Sequence, residues 1–388
     1  MTATPTILPG ATLGVMGGGQ LGRMFVHAAQ RMGYFTAVLD PDEASPAGLV
    51  SHHHIRTAYL DEQGLAELAR VSAAITTEFE NVPAAALTKL SQQRPVAPGP
   101  YAVSIAQDRA REKAHFTRVH VPCAPHAVIE TARHLASVGD DLLPGVLKTS
   151  RLGYDGKGQV RVANREELVT AWDELKHVPC VLEKLLPLDY ECSVVVARSD
   201  HGGFVHLPVQ RNLHRGGILA VTEVHEACVP PAQAQQAIVA AKAVADGLHY
   251  VGVLCVEFFV LEDGALVVNE IAPRPHNSGH WSIDGSDVSQ FELQVRTLAG
   301  LPLVAPRQHS PAIMLNLLGD LWFREGDEER TPAWAEVLAL PGAHLHLYGK
   351  QSARRGRKMG HLNVTGASVD DVRRTALQAA GILGIEPF

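Results

Sequence analysis

The 388-residue chain has little that would tie it to a secreted framework, a membrane or a nucleic acid. Its cysteines number five, an odd count without Cys-x-x-Cys spacing, which excludes a disulfide scaffold and a cysteine zinc site and points to a reducing compartment. No apolar run reaches membrane-spanning length, and residues 1–10 lack a signal-peptide core, so the expected location is the cytoplasm. Basic residues, 34 against 41 acidic, leave a formal charge of −7; this argues against a nucleic-acid surface and makes every local basic cluster demand a local reason. Fixed-period repeats and low-complexity tracts are also missing. Ser51-His52-His53-His54, a short run with no spaced partner, reads as a polar loop rather than a metal site.

What is present is a soluble globular composition in a chain too long for one ordinary core, so two or three domains are expected. Residues 1–107 alternate strands (12–16, 35–39, 73–76) with helices starting near Gln20, Asp61 and Pro83, the pattern of a doubly wound parallel sheet. A smaller unit over 108–186 carries strands at 145–148 and 180–183 on either side of a glycine-rich loop. From 187 to 388 the pattern turns to hairpins and longer strands (191–197, 204–209, 312–317, 344–348), an α+β body.

In that body, Val253 to Val260 is an apolar run, Asp263-Gly264 is a two-residue turn signal, and Ala265 to Glu270 returns. A turn centred on Asp263-Gly264 pairs Val260 with Val267 and Glu257 with Glu270. Two carboxylates opposite each other in apolar strands repel by roughly 0.2 to 1 kcal/mol, more when buried, unless a cation sits between them. A hard divalent ion such as Mg²⁺, which binds carboxylate oxygens and bridges to phosphates, answers that cost. An exposed hairpin with both glutamates solvated is the bland alternative.

Two glycine loops point to phosphate. Gly17-Gly18-Gly19-Gln20-Leu21-Gly22 follows a strand and opens a helix, and Asp40 ends the next strand at the spacing of a ribose-binding acid. Its amides suit an anion at a helix N-terminus, although a dinucleotide site or a plain tight turn would read alike. The second, Gly153-Tyr154-Asp155-Gly156-Lys157-Gly158-Gln159, is not a Walker loop; with Lys148 and Lys157 it suits a flap over a triphosphate, or an ordinary glycine-rich hairpin. Downstream, Glu183-Lys184-Leu185-Leu186 ends a strand before a proline, where exposed backbone groups can read an adenine edge, and Glu191 follows within reach of a ribose.

These motifs, with Thr77-Glu78-Phe79-Glu80-Asn81-Val82-Pro83, the block from Asn269 through Arg274-Pro275-His276-Asn277-Ser278-Gly279-His280, and Gly356-Arg357-Lys358-Met359-Gly360-His361-Leu362-Asn363, resemble the ATP-grasp superfamily from end to end. Within it the chain is similar to the 5-(carboxyamino)imidazole ribonucleotide synthase family, and residues 277–280 distinguish it from a formate-dependent transformylase that shares Pro-Arg-Pro-His. The resemblance implies an ATP-grasp fold and a ligase of purine biosynthesis. Bicarbonate is phosphorylated by ATP to carboxyphosphate, and the exocyclic amine of 5-aminoimidazole ribonucleotide takes the carboxyl group. It further implies a homodimer and ATP contacts at Arg109, Lys148, Gly153, Tyr154, Asp155, Gly156, Lys157, Gly158, Gln159, Glu183, Lys184, Leu185, Leu186, Glu191, His214, Asn269 and Glu270, with Glu257 and Glu270 as Mg²⁺ ligands.

Chemistry assigns the remaining roles. The attacking amine must lose a proton, and Asp155 on the flap is the candidate base or orienting group, beside Tyr154. Bicarbonate and developing phosphate charge need fixed cations, for which Arg274 and Lys358 are chosen, with His276, Asn277 and Ser278 beside them. Gly19, Gln20, Leu21, Lys350 and Arg357 are expected to hold the ribose 5-phosphate end, with Arg354 and Arg355 both open as a further phosphate ligand. Glu78, just past a strand end, is expected to face substrate; Glu80 reads as structural. A dehydrogenase built on the first loop explains neither the second loop nor the glutamate pair, and a nucleotide sensor predicts ATP binding without turnover.

Overall fold

The computed structural model describes residues 6–153, 158–324 and 328–388. Short apolar and β-branched runs, each followed by glycine or a carboxylate residue, produce the first sheet, in which Thr12–Met16 lies between Phe35–Leu39 and Ala74–Thr77, all parallel. The helices Gln20–Arg31 and Glu62–Val71 cross over between these strands, the second capped by Asp61, which accepts from the Gly64 amide. One expectation fails here: the histidine run is no loop, because His53–Ile55 adds a short parallel strand at the sheet edge. Strand order therefore reverses beside Thr12–Met16, and its C-terminal end, with Gly17 to Gly19 and Glu78, opens on the crevice where such sheets bind ligands.

A second sheet is small and antiparallel, ordered His126–Ile129, Cys180–Lys184, Gly145–Thr149, Gln159–Val162. The third has nine strands among the described residues. Gly252–Leu261 runs in its interior between Leu188–Arg198 and Leu266–Ala272, and Leu266–Ala272 is its edge. Helix Pro231–Gly247 buries Ala237, Ala241, Val244 and Ala245 on one face of this sheet. Helix Gln290–Leu298 sits by the other face and also packs on Gln20–Arg31, where Arg31 meets Glu292 at 2.6 Å. The strand expected over 204–209 is shorter, Phe204–His206, because Pro208 supplies no ladder donor.

The hairpin register departs from the expected one in an instructive way. Gly264 adopts a φ of +82° and donates its amide to the Leu261 carbonyl, so the turn centres on Glu262-Asp263 and the loop is one residue longer. Val260 consequently pairs with Leu266, not Val267. A bulge at Asn269, which has no cross-strand partner, restores the count, and Glu257 does face Glu270.

Candidate active site

Glu257 is buried because its strand is flanked on both sides, whereas Glu270, on the edge strand, stays partly open. Each carboxylate has one oxygen engaged: Glu257 Oε1 lies 3.1 Å from His276 Nε2, and Glu270 Oε2 accepts from Arg109 Nη1 at 2.8 Å. Burial pushes both carboxyl groups up, but the cations prevail. His276 holds Glu257 below its ordinary value, and Arg109, backed by Lys148 and His276, draws Glu270 down to about 2. The imidazole answers in kind: burial opposes its charge, yet Cys255 and Glu257 lift it to about 10. Of the other oxygens, Glu257 Oε2 has only His214 Nε2 at 3.9 Å, and Glu270 Oε1 has no partner among the described residues. Among those residues no group of three or more His, Cys, Asp or Glu side chains could hold a metal. Two spare carboxylate oxygens without further protein ligands fit Mg²⁺, which completes its shell with water and phosphate, rather than a closed protein cage.

Helix Arg109–Arg118 lies along the hairpin edge. Its N-cap Asp108 accepts from the Ala110 and Arg111 amides and also meets Arg151 Nε at 3.0 Å, at the root of the second glycine loop. Arg109 reaches Glu270, Glu112 Oε1 accepts from the Ile271 amide at 2.8 Å, and Lys113 Nζ donates to the Asn269 carbonyl at 2.9 Å. Sequence reasoning missed Glu112 and Lys113. Their positions three and four after Arg109, behind an Asp cap, put all three on one helical face, a signal that was available. Burial lifts the Glu112 carboxyl to about 8, with Lys113 opposing and Glu270 adding.

Lys148 joins this cluster through Glu183, whose Oε2 is 3.1 Å from Lys148 Nζ and 3.3 Å from Lys113 Nζ. Burial lowers the Lys148 ammonium below its ordinary value; Glu183 is itself held low because Lys148 and Lys113 outweigh its desolvation. Past it, the Lys184 and Leu185 amides are not exposed as expected: they donate to the carbonyls of Pro125 and Pro144. Glu191 Oε2 stands 2.8 Å from His214 Nδ1, an ion-pair contact that raises the imidazole against its burial. Gly153 and Gly158 bound the flap, Gly158 accepts from the Thr149 amide, and Gln159 pairs with Lys148. Tyr154, Asp155, Gly156 and Lys157 lie outside the described residues.

The first glycine loop is filled from within. The Gly18 amide donates to Asp40 Oδ2 at 2.7 Å, and Glu78 accepts from Gly19 and Gly22 at 2.8 and 3.0 Å. A Cβ at Gly19 would stand 2.5 Å from Glu78 Oε1, so the glycine admits this internal carboxylate. Asp40 therefore closes the loop, also accepting from Tyr59 Oη at 2.6 Å, instead of waiting for a ribose. The Gln20 and Leu21 amides, next in the helix, have no acceptor among the described residues. Burial raises the Glu78 carboxyl despite its two amide donors.

Beyond the hairpin, Arg274 Nε meets Glu80 Oε2 at 2.5 Å. Ser278 does not fit its expected place among substrate contacts: it is fully buried, with Oγ 2.8 Å from Ser193 Oγ and 2.9 Å from His276 Nδ1. It belongs to a polar network that orients His276 from behind. Asn277 is also buried. The fully buried His280 feels His276, Lys358 and Arg274 together, and burial plus these neighbours push it well below its ordinary value. Lys350 Nζ donates to the Lys358 carbonyl at 2.6 Å, and Arg357 to the Ser352 carbonyl at 2.9 Å. Arg355 lies 3.8 Å from Asp320 and over the Phe323 ring, while the Arg354 carbonyl accepts from the Arg357 amide.

Comparison with known proteins agrees along the whole chain. Family models match at residues 10–107 (ribonucleotide synthetase preATP-grasp domain), 114–291 (ATP-grasp domain) and 312–375 (phosphoribosylaminoimidazole carboxylase C-terminal domain). A Brucella melitensis biotype 1 relative named N5-carboxyaminoimidazole ribonucleotide synthase is 44% identical over 360 residues, which cover 92% of this chain and 97% of the relative. A solved ADP complex of N5-carboxyaminoimidazole ribonucleotide synthetase superposes with a TM-score of 0.91 at 37% identity, covering 99% of both chains. An Aspergillus clavatus N5-carboxyaminoimidazole synthase, solved with ADP and 5-aminoimidazole ribonucleotide, gives 0.87 at 30% identity over 96% of this chain and 98% of that one.

Proposed function

Because the chain belongs to the N5-carboxyaminoimidazole ribonucleotide synthase family of ATP-grasp proteins, we propose that it carboxylates the exocyclic amine of 5-aminoimidazole ribonucleotide in purine biosynthesis. ATP is consumed, and 5-(carboxyamino)imidazole ribonucleotide, ADP and phosphate result. The observation that carries this reading is the Glu257–Glu270 pair, each with one oxygen neutralised by a protein cation and one uncommitted, with Arg274, His276 and Asn277 following directly in the chain.

In this reading Glu257 and Glu270 would hold Mg²⁺, which would supply charge neutralisation on the ATP phosphates. Arg109 and Lys148 contribute fixed positive charge there, and Glu183 to Leu186, Glu191 and His214 line the nucleoside. Arg274 and Lys358 hold bicarbonate while its oxygen attacks the γ-phosphorus to form carboxyphosphate. His276, kept cationic by Glu257, with both ring nitrogens engaged by Glu257 and Ser278, contributes positive charge near the anion. Asp155 takes the amine proton or orients the amine. Gln20, Leu21, Lys350 and Arg357 bind the phosphate end of the ribonucleotide. Support for a division at 1–107, 108–186 and 187–388 comes from the three sheets falling one in each segment. A cytoplasmic homodimer completes the reading; no helix among the described residues is long and apolar enough to cross a membrane.

The test is transfer of label. With ATP, the aminoimidazole ribonucleotide and isotopic bicarbonate, label should enter an acid-labile carbamate. Turnover that needs formate and ignores bicarbonate would instead mark a transformylase.

A further inference from the structure

The turn at Glu262-Asp263 sets a register in which Val260 faces Leu266. Continued without interruption, that register would bring Asn269, not Glu270, opposite Glu257. The unpaired residue at Asn269 is what moves Glu270 into place, so whatever stabilises the bulge also aligns the two carboxylates. A bulge on an edge strand is costly to keep unless its backbone groups find partners. Lys113 provides one: its Nζ donates to the Asn269 carbonyl at 2.9 Å, and the residue is fully buried. The same nitrogen lies 3.3 Å from Glu183 Oε2, on a strand of the small sheet.

We infer that Lys113 is a positioning residue, one that touches no reacting atom: it pins the Asn269 bulge, so that Glu257 and Glu270 stand opposite each other, and ties that alignment to Glu183 beside the nucleotide. This rests on the nucleotide reading above. Arg109, one turn earlier, holds the Glu270 side chain, so successive residues of the bulged strand are gripped by two cations from one helical face. Removing the ammonium leaves the Asn269 carbonyl without its donor and Glu183 with Lys148 alone.

The experiment compares wild type with Lys113→Met and Lys113→Gln, the latter retaining a donor in case the former does not fold. Calorimetry reads Mg-ADP affinity, and hydrogen–deuterium exchange without nucleotide reads residues 264–272. Expected are roughly 10- to 100-fold weaker Mg-ADP binding in Lys113→Met, a smaller loss in Lys113→Gln, and faster exchange confined to the bulged strand. KM for the aminoimidazole ribonucleotide at saturating Mg-ATP should stay near wild type. A lower melting temperature with wild-type Mg-ADP affinity, or unchanged exchange at 264–272, would overturn the inference. A wild-type protein that fails to bind Mg-ADP would sink the nucleotide reading, while the exchange arm would still report on Lys113 and the bulge.

Discussion

Glu270 is the residue on which most of the site converges: its backbone follows the bulge, one carboxylate oxygen is held by Arg109, and the other is uncommitted. Glu270→Gln keeps the shape and removes the charge. Turnover at fixed Mg²⁺ is expected to fall of the order of 100-fold while the protein stays folded, as read by steady-state kinetics beside a thermal melt. Unchanged Mg²⁺-dependent turnover would remove Glu270 from the metal site. At this scale the sequence was partly legible. Alternating strands and a turn signal were enough to pair Glu257 with Glu270, because the error in the turn and the error at the bulge cancel. The helical spacing of Glu112 and Lys113 from Arg109 was readable, but what they bind was not, since their partners are backbone atoms of Asn269 and Ile271, more than 150 residues away, which carry no residue-type signal. Ser278 misled for the opposite reason: it sits inside a motif of functional residues but points into the protein.

At the scale of elements, the histidine-bearing segment after the hairpin meets the strand Lys358–Thr365 through a stack of rings. His280 and His361 have centroids 4.6 Å apart, and His346 stacks on His361 at 4.5 Å. Both His280 and His361 are fully buried, and desolvation pushes each well below its ordinary 6.5. His276, Lys358 and Arg274 add to the effect on His280, and Asp284 partly opposes it at His361. The sign follows from linkage: below pH 6.5 these two imidazoles bind protons in the unfolded chain that they refuse in the folded one, so their contribution to stability is full above that pH and declines as pH falls. For the pair the decline is at most about 2.7 kcal/mol per pH unit. Urea unfolding between pH 6.5 and 5 should show it as a difference between proteins, the His361→Phe slope lying below that of wild type by up to about 1.4 kcal/mol per pH unit; equal slopes in both proteins would contradict the assignment. Strand and helix positions were largely readable, as with Thr12–Met16 and Phe35–Leu39, where apolar runs end at glycine or aspartate. His53–Ile55 was not, because an edge strand with one apolar residue has no alternation to read.

For the whole molecule, the helix Arg109–Arg118 links the root of the second glycine loop and Glu183 of the small sheet to the edge of the large sheet. The first glycine loop shows where sequence motifs run out. Its spacing matched a dinucleotide fingerprint, yet Asp40 and Glu78 occupy the Gly18, Gly19 and Gly22 amides, which only the fold could reveal. The central claim, a carboxylation driven by ATP through the phosphorylation of bicarbonate, is tested most directly by ADP release measured with and without bicarbonate and with and without 5-aminoimidazole ribonucleotide. The account predicts full ADP release only when both are present, in step with carbamate formation. ADP release at the full rate without bicarbonate would contradict it.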